Sequence, residues 1–148
     1  MTEFSSVLLV DARGWILMQE RDEHPVIDPE CWGFPGGGME GDEEPLAGAL
    51  REFDEETGVQ LGAADIALWR DVEVFHSATA SDDVMHLFVG ATTLTDDDIT
   101  CAEGRRIVFV DPDRVPELPL TAATSLSLPD FLASPDHARL AAAAKEPA

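Results

Sequence analysis

The residues of this chain best suited to chemistry are carboxylates grouped around one arginine: Glu43, then Arg51, Glu52, Glu55 and Glu56. On a helix, at about 100° per residue, Glu52, Glu55 and Glu56 fall within an arc of about 100°. Like charges at these spacings destabilise a helix by a few tenths of a kcal/mol each. Folding alone does not select such a cluster. A hard divalent cation reverses the sign of the effect, because carboxylate oxygens are its preferred ligands. A solvated acidic face is the plain alternative, and the glycines before the helix and the offset Glu43 argue against it.

The elements that must hold these residues are readable around them. Gly36-Gly37-Gly38 precede the cluster and suit a backbone that other residues resist. Pro45 suits the first turn of a helix, and Gly58 the left-handed residue just past its end. Leu46, Ala49, Leu50 and Phe53 form one apolar stripe, well round from the carboxylates. Gly48 lies one turn before Glu52, where a glycine costs roughly 1 kcal/mol against alanine. Its missing side chain is expected to leave room for ions or substrate.

The stretch Gly37 to Val59 resembles the Nudix box, G-x5-E-x7-R-E-U-x-E-E-x-G-U, with U a bulky apolar residue. Gly37, Glu43, Arg51, Glu52, Phe53, Glu55, Glu56, Gly58 and Val59 match it. Phe53 stands where an aliphatic residue is more usual. Trp32-Gly33-Phe34-Pro35 matches the W-x-F-P-G-G lead-in of the same family. Glu103-Gly104-Arg105 resembles the stretch from which Nudix triphosphatases return a glutamate to the metal site. Arg21 ends a strand where those enzymes carry a basic residue for the substrate's phosphates; a plain surface arginine is the competing reading.

The 148-residue chain is expected to form one domain over residues 1–148, with a helical or frayed tail from about 135. No apolar run reaches the ~18 residues of a membrane span. Acidic Glu3 and the lack of a basic N-terminal region argue against a signal peptide. Cys31 and Cys101 lie far apart and read as reduced thiols, so a cytoplasmic location is expected. A formal charge of −21 repels nucleic acid and anionic membranes, so neither is expected as a partner. It also repels a nucleotide, unless bound cations dominate the local field.

Along the rest of the chain, Ser5 to Val10 and Trp15 to Glu20 read as strands joined by a turn at residues 11–14. Asp22 to Glu30, with two prolines, reads as a loop. Ile66 to Phe75 and Val84 to Ala91 read as strands around a polar loop, Ser77 to Asp83. His76 and His86 stand alone in sequence and draw no role. Asp96-Asp97-Asp98 reads as solvated charge. Arg106 to Val110 is a last strand, and Leu120 to Leu132 a helix interrupted near Pro129. Mixed strands with at least two helices fit an α/β/α sandwich with a mixed central sheet, which the Nudix resemblance also implies.

The resemblance further implies Mg²⁺-dependent hydrolysis, with Mn²⁺ as a substitute, of a nucleoside diphosphate linked to a group X. It implies metal ligands from Glu52 and Glu56, with Glu55, Glu103 and the Gly36 carbonyl, in a loop flexible enough to offer it. Glu43 would orient waters, and Arg51 would pair with Glu55. The general base stays open among Glu55, Glu52 and Glu103. Trp32 and Phe34 could stack on a base, although such residues are more often core, the favoured reading of Phe34. A nucleoside triphosphate is the expected substrate. The chain lacks the downstream tyrosine of dinucleoside polyphosphate enzymes, the proline of ADP-ribose enzymes and the marks of NADH and coenzyme A types. It contains no asparagine to read an oxidised guanine. ADP-ribose or a nucleotide sugar is the alternative substrate. The rivals to catalysis are a silent nucleotide-binding module and a plain cation-binding acidic protein. Monomer and homodimer are both open.

Overall fold

The computed structural model describes residues 1–145. Strand β1 (Glu3–Val10) lies at the centre of a seven-stranded mixed sheet. Along its whole length it runs parallel to β6 (Ser81–Ala91), whose outer neighbour is the antiparallel β5 (Ala67–His76). On its other side β1 serves two partners. Its C-terminal end meets β2 (Ile16–Glu20) at Val10↔Ile16, and its N-terminal half pairs with β4 (Gly36–Gly38). β2 in turn carries β3 (Trp32–Gly33) and β7 (Arg106–Val110). The sheet therefore splits between β2 and β4, and a cleft opens there.

Alternation along β1 sends its side chains into two cores. Val7 and Leu9 pack with Leu17, Phe88 and Phe109 under helix α1 (Pro45–Thr57), through Ala49 and Phe53. Leu8 and Val10 pack with Met18, Met85 and Leu87 under α2 (Ala122–Leu132) and α3 (Pro135–Ala144), through Leu128, Phe131 and Leu140. This is the expected α/β/α sandwich. Pro45 sits in the first turn of α1, and Gly58 closes it at φ 75°, donating its N–H to the Asp54 carbonyl.

Several expectations are corrected. The glycines at 36–38 form a strand, not a flexible loop, and none has a positive φ. They are small because space is short. A Cβ at Gly36 would collide with the Ser5 carbonyl oxygen, and one at Gly37 would meet the Glu52 carboxylate at 2.6 Å. The space beside Gly48 is likewise taken, since a Cβ there would lie 3.0 Å from Glu43 Oε1 and 3.4 Å from Ser5 Oγ. Pro129 does not interrupt α2. Buried Leu128 and Phe131 flank it, and the helix runs to its end, where the Ala133 N–H donates to the Pro129 carbonyl. Leu120 bridges Trp32 rather than opening that helix, which starts after the Thr121 cap. The loop before β6 is only a turn over 77–80; Ser81 to Asp83 already belong to the strand. Asp96–Asp98 form a 3-10 turn; Asp96 accepts the Phe109 N–H and Asp98 the Thr95 N–H, each at 2.8 Å, so two members of that run are structural. The Ala-rich tail is helical as α3 to Ala144, and residues 146–148 lie outside the described ones.

Candidate active site and metal centre

The cleft at the split has a volume of about 680 Å³. Glycine placement brings the α1 carboxylates into it. Ser5 Oγ donates to the Pro45 carbonyl and ties the start of α1 to β1. Glu56, buried although charged by type, accepts the Gly36 N–H at 3.2 Å. Glu52 abuts Gly37. Both border the cleft, with Gly36 to Gly38 between α1 and the opening.

Glu103 comes from a distant loop that three hydrogen bonds draw in. The Thr100 and Ala102 N–H groups donate to the Thr57 and Glu56 carbonyls, fastening the loop to the end of α1. Gln19 Nε2 donates to the Glu103 carbonyl at 2.8 Å. Gly104 has φ 86°, and a Cβ there would lie 2.8 Å from the Glu20 carbonyl oxygen, so only glycine lets the loop come this close to β2.

Arg51 does more than pair with Glu55. Its guanidinium donates to Glu43 at 2.8 and 2.9 Å, to Glu52 Oε1 at 3.0 Å, to the Gly38 carbonyl at 3.0 Å and to Glu55 at 3.2 and 3.3 Å. It locks the helix, the glycine strand and the preceding turn together. Hydrogen bonds from Arg51 hold the Glu43 carboxyl down at about 2. Glu43 and Glu55 thus sit on Arg51 and do not border the cleft; the Glu55 side chain is 57% exposed.

The electrostatics differ on the cleft side. Burial pushes Glu56 up to about 8, helped by the charges of Glu103 and Glu52 and opposed by the Gly36 N–H and Arg21. Glu52 is also raised, first by burial and then by Glu55 and Glu103, against Arg51. Among the described residues no three Asp, Glu, His or Cys side chains converge tightly enough to form a ready-made cage. The donor set nevertheless fits a hard divalent cation. Its carboxylates are desolvated and repel one another, a strain that cation charge relieves.

The far rim is the 22–30 loop. Arg21 lies on the cleft wall, where Nη2 donates to the Ile27 carbonyl at 3.0 Å. Its Nε is buried with no acceptor among the described residues. Such an orphan costs about 1–3 kcal/mol. Arg105 pairs with Glu23 and Glu30 and straps the loop down. Asp28, at φ 46°, accepts the Ala122 N–H at the start of α2. Phe34 belongs to the core, as expected, and also borders the cleft. Gly33, Thr121 and Thr124 complete that side.

Sequence reasoning missed His76. Its ring reaches the cleft and pairs with buried Asp83 at 2.6 Å. The period-2 match of His76 with apolar Val72 and Val74 was the available signal, since it predicts that all three face inward.

The m7GpppN-mRNA hydrolase of Bos taurus is 37% identical over 73 residues, 49% of this chain and 24% of that protein. The RNA pyrophosphohydrolase of Roseobacter denitrificans is 38% identical over 60 residues, 40% of this chain and 36% of that protein. The chain spans only a quarter to about a third of the length of these relatives. The MutT protein from Methanosarcina mazei Go1 shares the fold, with a TM-score of 0.69 and 23% identity over 98% of this chain and 96% of that one. The NUDIX domain model matches residues 3–131, which include the split sheet, α1 and the Glu103 loop. A match of that extent, laid over a cleft built by the glycine strand and the α1 carboxylates, makes this chain a member of the Nudix family.

Proposed function

We propose that this chain is a divalent-cation-dependent pyrophosphohydrolase. Its best substrate is a nucleoside triphosphate, cleaved to a monophosphate and pyrophosphate. The observation that carries the reading is the desolvated Glu52–Glu56 pair in one cleft with the Arg21 cation.

Glu52 and Glu56, with Glu103 and the Gly36 carbonyl, would hold Mg²⁺ or Mn²⁺. When bound, the cation screens phosphate charge and makes water a stronger nucleophile. Arg21, on the cleft wall, would offer the guanidinium N–H groups that Ile27 does not engage to a phosphate oxygen and so orient the chain of phosphates. Arg51 fixes Glu52 from behind and keeps Glu43 ionised as its own support. The general base must stand within hydrogen-bond reach of the attacking water. Glu52 and Glu103 border the cleft, whereas Glu55 does not, so we take the base from the first two. The two free cysteines suit the reducing cytoplasm, where a small nucleotide would be the partner.

The test is a panel of ordinary and oxidised nucleoside triphosphates, ADP-ribose and nucleotide sugars, assayed with Mg²⁺ for kcat/KM. A triphosphate is expected to lead. If ADP-ribose or a nucleotide sugar wins by tenfold, about 1.4 kcal/mol in transition-state binding, the substrate assignment is wrong. Tight nucleotide binding without turnover would instead mark a silent module.

A further inference from the structure

His76 is the last residue of β5, paired with Ser81, and Asp83 lies two residues further along β6, opposite Val74. Their exposures are 7% and 2%, so a carboxylate is buried here. That is costly unless donors surround it. Three do: the Thr2 N–H at 2.8 Å, the Ser81 hydroxyl at 2.6 Å and His76 Nδ1 at 2.6 Å. Led by His76, they hold the Asp83 carboxyl at about 2, so it is ionised and can only accept. Nδ1 must therefore carry the proton, which fixes the ring's orientation.

The other ring nitrogen, Nε2, has no hydrogen-bond partner among the described residues. Nor is it among the buried polar atoms left unpartnered, where Arg21 Nε stands by itself. It must therefore be open, and the space His76 borders is the cleft. Around it the wall is apolar. Phe4, Val74 and Met85 share that wall, and the Phe4 ring stands edge-on to the imidazole at 6.0 Å. Met85 belongs to the core on the α2 side of the sheet, whereas Glu52 and Glu56 come from α1 on the opposite side. His76 thus addresses a part of the ligand remote from the carboxylates. A flat apolar wall with one oriented ring nitrogen suits a heteroaromatic ring with a polar edge.

We propose that His76 is a specificity-determining residue that hydrogen-bonds through Nε2 to the edge of the substrate's base, with Asp83 as its positioning residue. This rests on the nucleotide reading given above. A purely structural staple between β5 and β6 is the competing role, and it needs no nitrogen open to the cleft.

The test compares His76→Phe and His76→Gln with wild type in the full chain. Calorimetry with Mg²⁺ gives Kd for the four common nucleoside monophosphates and for pyrophosphate, which probes the phosphate end alone. KM and kcat are measured on triphosphates that wild type hydrolyses, and melting temperatures check the fold. His76→Phe is expected to weaken at least one monophosphate about tenfold, or about 1.4 kcal/mol, and pyrophosphate less than twofold. KM should rise more than kcat falls, and His76→Gln should recover part of the loss. Equal losses for monophosphates and pyrophosphate overturn the assignment. So does a lower melting temperature in both variants with binding per folded molecule unchanged, or failure of wild type to bind any monophosphate. If wild type binds monophosphates but hydrolyses no triphosphate, the activity reading fails, and the binding contrast still decides His76.

Discussion

Replacing Gly37 by alanine separates the site from the fold. The added Cβ would lie 2.6 Å from the Glu52 carboxyl carbon and from Oε2, whereas ordinary contact begins at 3.4 Å. Glu52 must therefore retreat by about 0.8 Å. The obstacle is the end of a side chain, so the backbone can stay. The φ of Gly37 is not positive, so alanine fits the strand, and the unfolded chain loses freedom worth about 0.4–1 kcal/mol. The melting temperature should hardly change. Activity should suffer, because a misplacement near 1 Å at a reacting group costs on the order of 100-fold. We expect kcat/KM to fall by roughly 30- to 100-fold in a Mg²⁺ assay of pyrophosphate release. Gly36→Ala is the control. There the Cβ would strike the Ser5 carbonyl and approach the Ser6 Cα at 2.7 Å, so the β1–β4 pairing itself must move. Overpacking of that kind costs about 1–3 kcal/mol, and this variant should melt earlier. Wild-type kcat/KM in a folded Gly37→Ala protein would refute the argument that close packing of glycine against Glu52 aims the carboxylate.

Glu56→Gln should lower turnover by about 100-fold, the scale of a lost transition-state contact, without loss of fold. The raised Glu56 carboxyl also predicts a pH effect in chelator. Its folded value exceeds its unfolded one, so its contribution to stability is fullest below about 4.3 and is lost as pH rises toward about 8. Wild type should thus lose melting temperature between pH 5 and 8 relative to Glu56→Gln, and Mg²⁺ should restore it where matched Na⁺ does not; parallel curves would discount the repulsion. Arg51→Met removes the group joining Glu43, Glu52, Glu55 and Gly38. It should destabilise by about 2 kcal/mol, and an unchanged denaturation midpoint would count against the lock. His86 sits between Asp71 at 2.6 Å and Glu3 at 2.9 Å, and these carboxylates outweigh burial to raise it. Its stabilisation is full below about 6.5 and lost as pH climbs through the raised value. The melting gap between wild type and His86→Gln should narrow from pH 6 to 9, and a constant gap would remove the assignment.

Local signals determined much of this protein. The α1 stripe, its Pro45 start and its Gly58 stop lie in neighbouring residues, because capping and helical period act over one or two turns. Apolar, β-prone runs and the turn residues between them likewise marked β1, β2, β5, β6 and β7. The fixed spacing from Gly37 to Val59 carried the family. Pro129 shows the limit of local reading. Its breaking tendency lost to the burial of Leu128 and Phe131, which depends on a sheet remote in sequence.

What only the tertiary structure decided is which carboxylates share a cavity. Spacing groups Glu52, Glu55 and Glu56 on one helix face, yet a few tens of degrees around the axis divide them. Glu52 and Glu56 turn to the glycine strand, and Glu55 turns to Arg51 and solvent. Glu103 joins through hydrogen bonds to the end of α1 and to Gln19 on β2. His76 and Asp83, at opposite ends of a tight turn, gain meaning only when β1 brings Phe4 beside them and the sheet splits. Helical and strand periods report direction relative to one element's own axis. Desolvation, close approach and charge coupling depend on what lies across the gap, and contacts between distant segments create that gap.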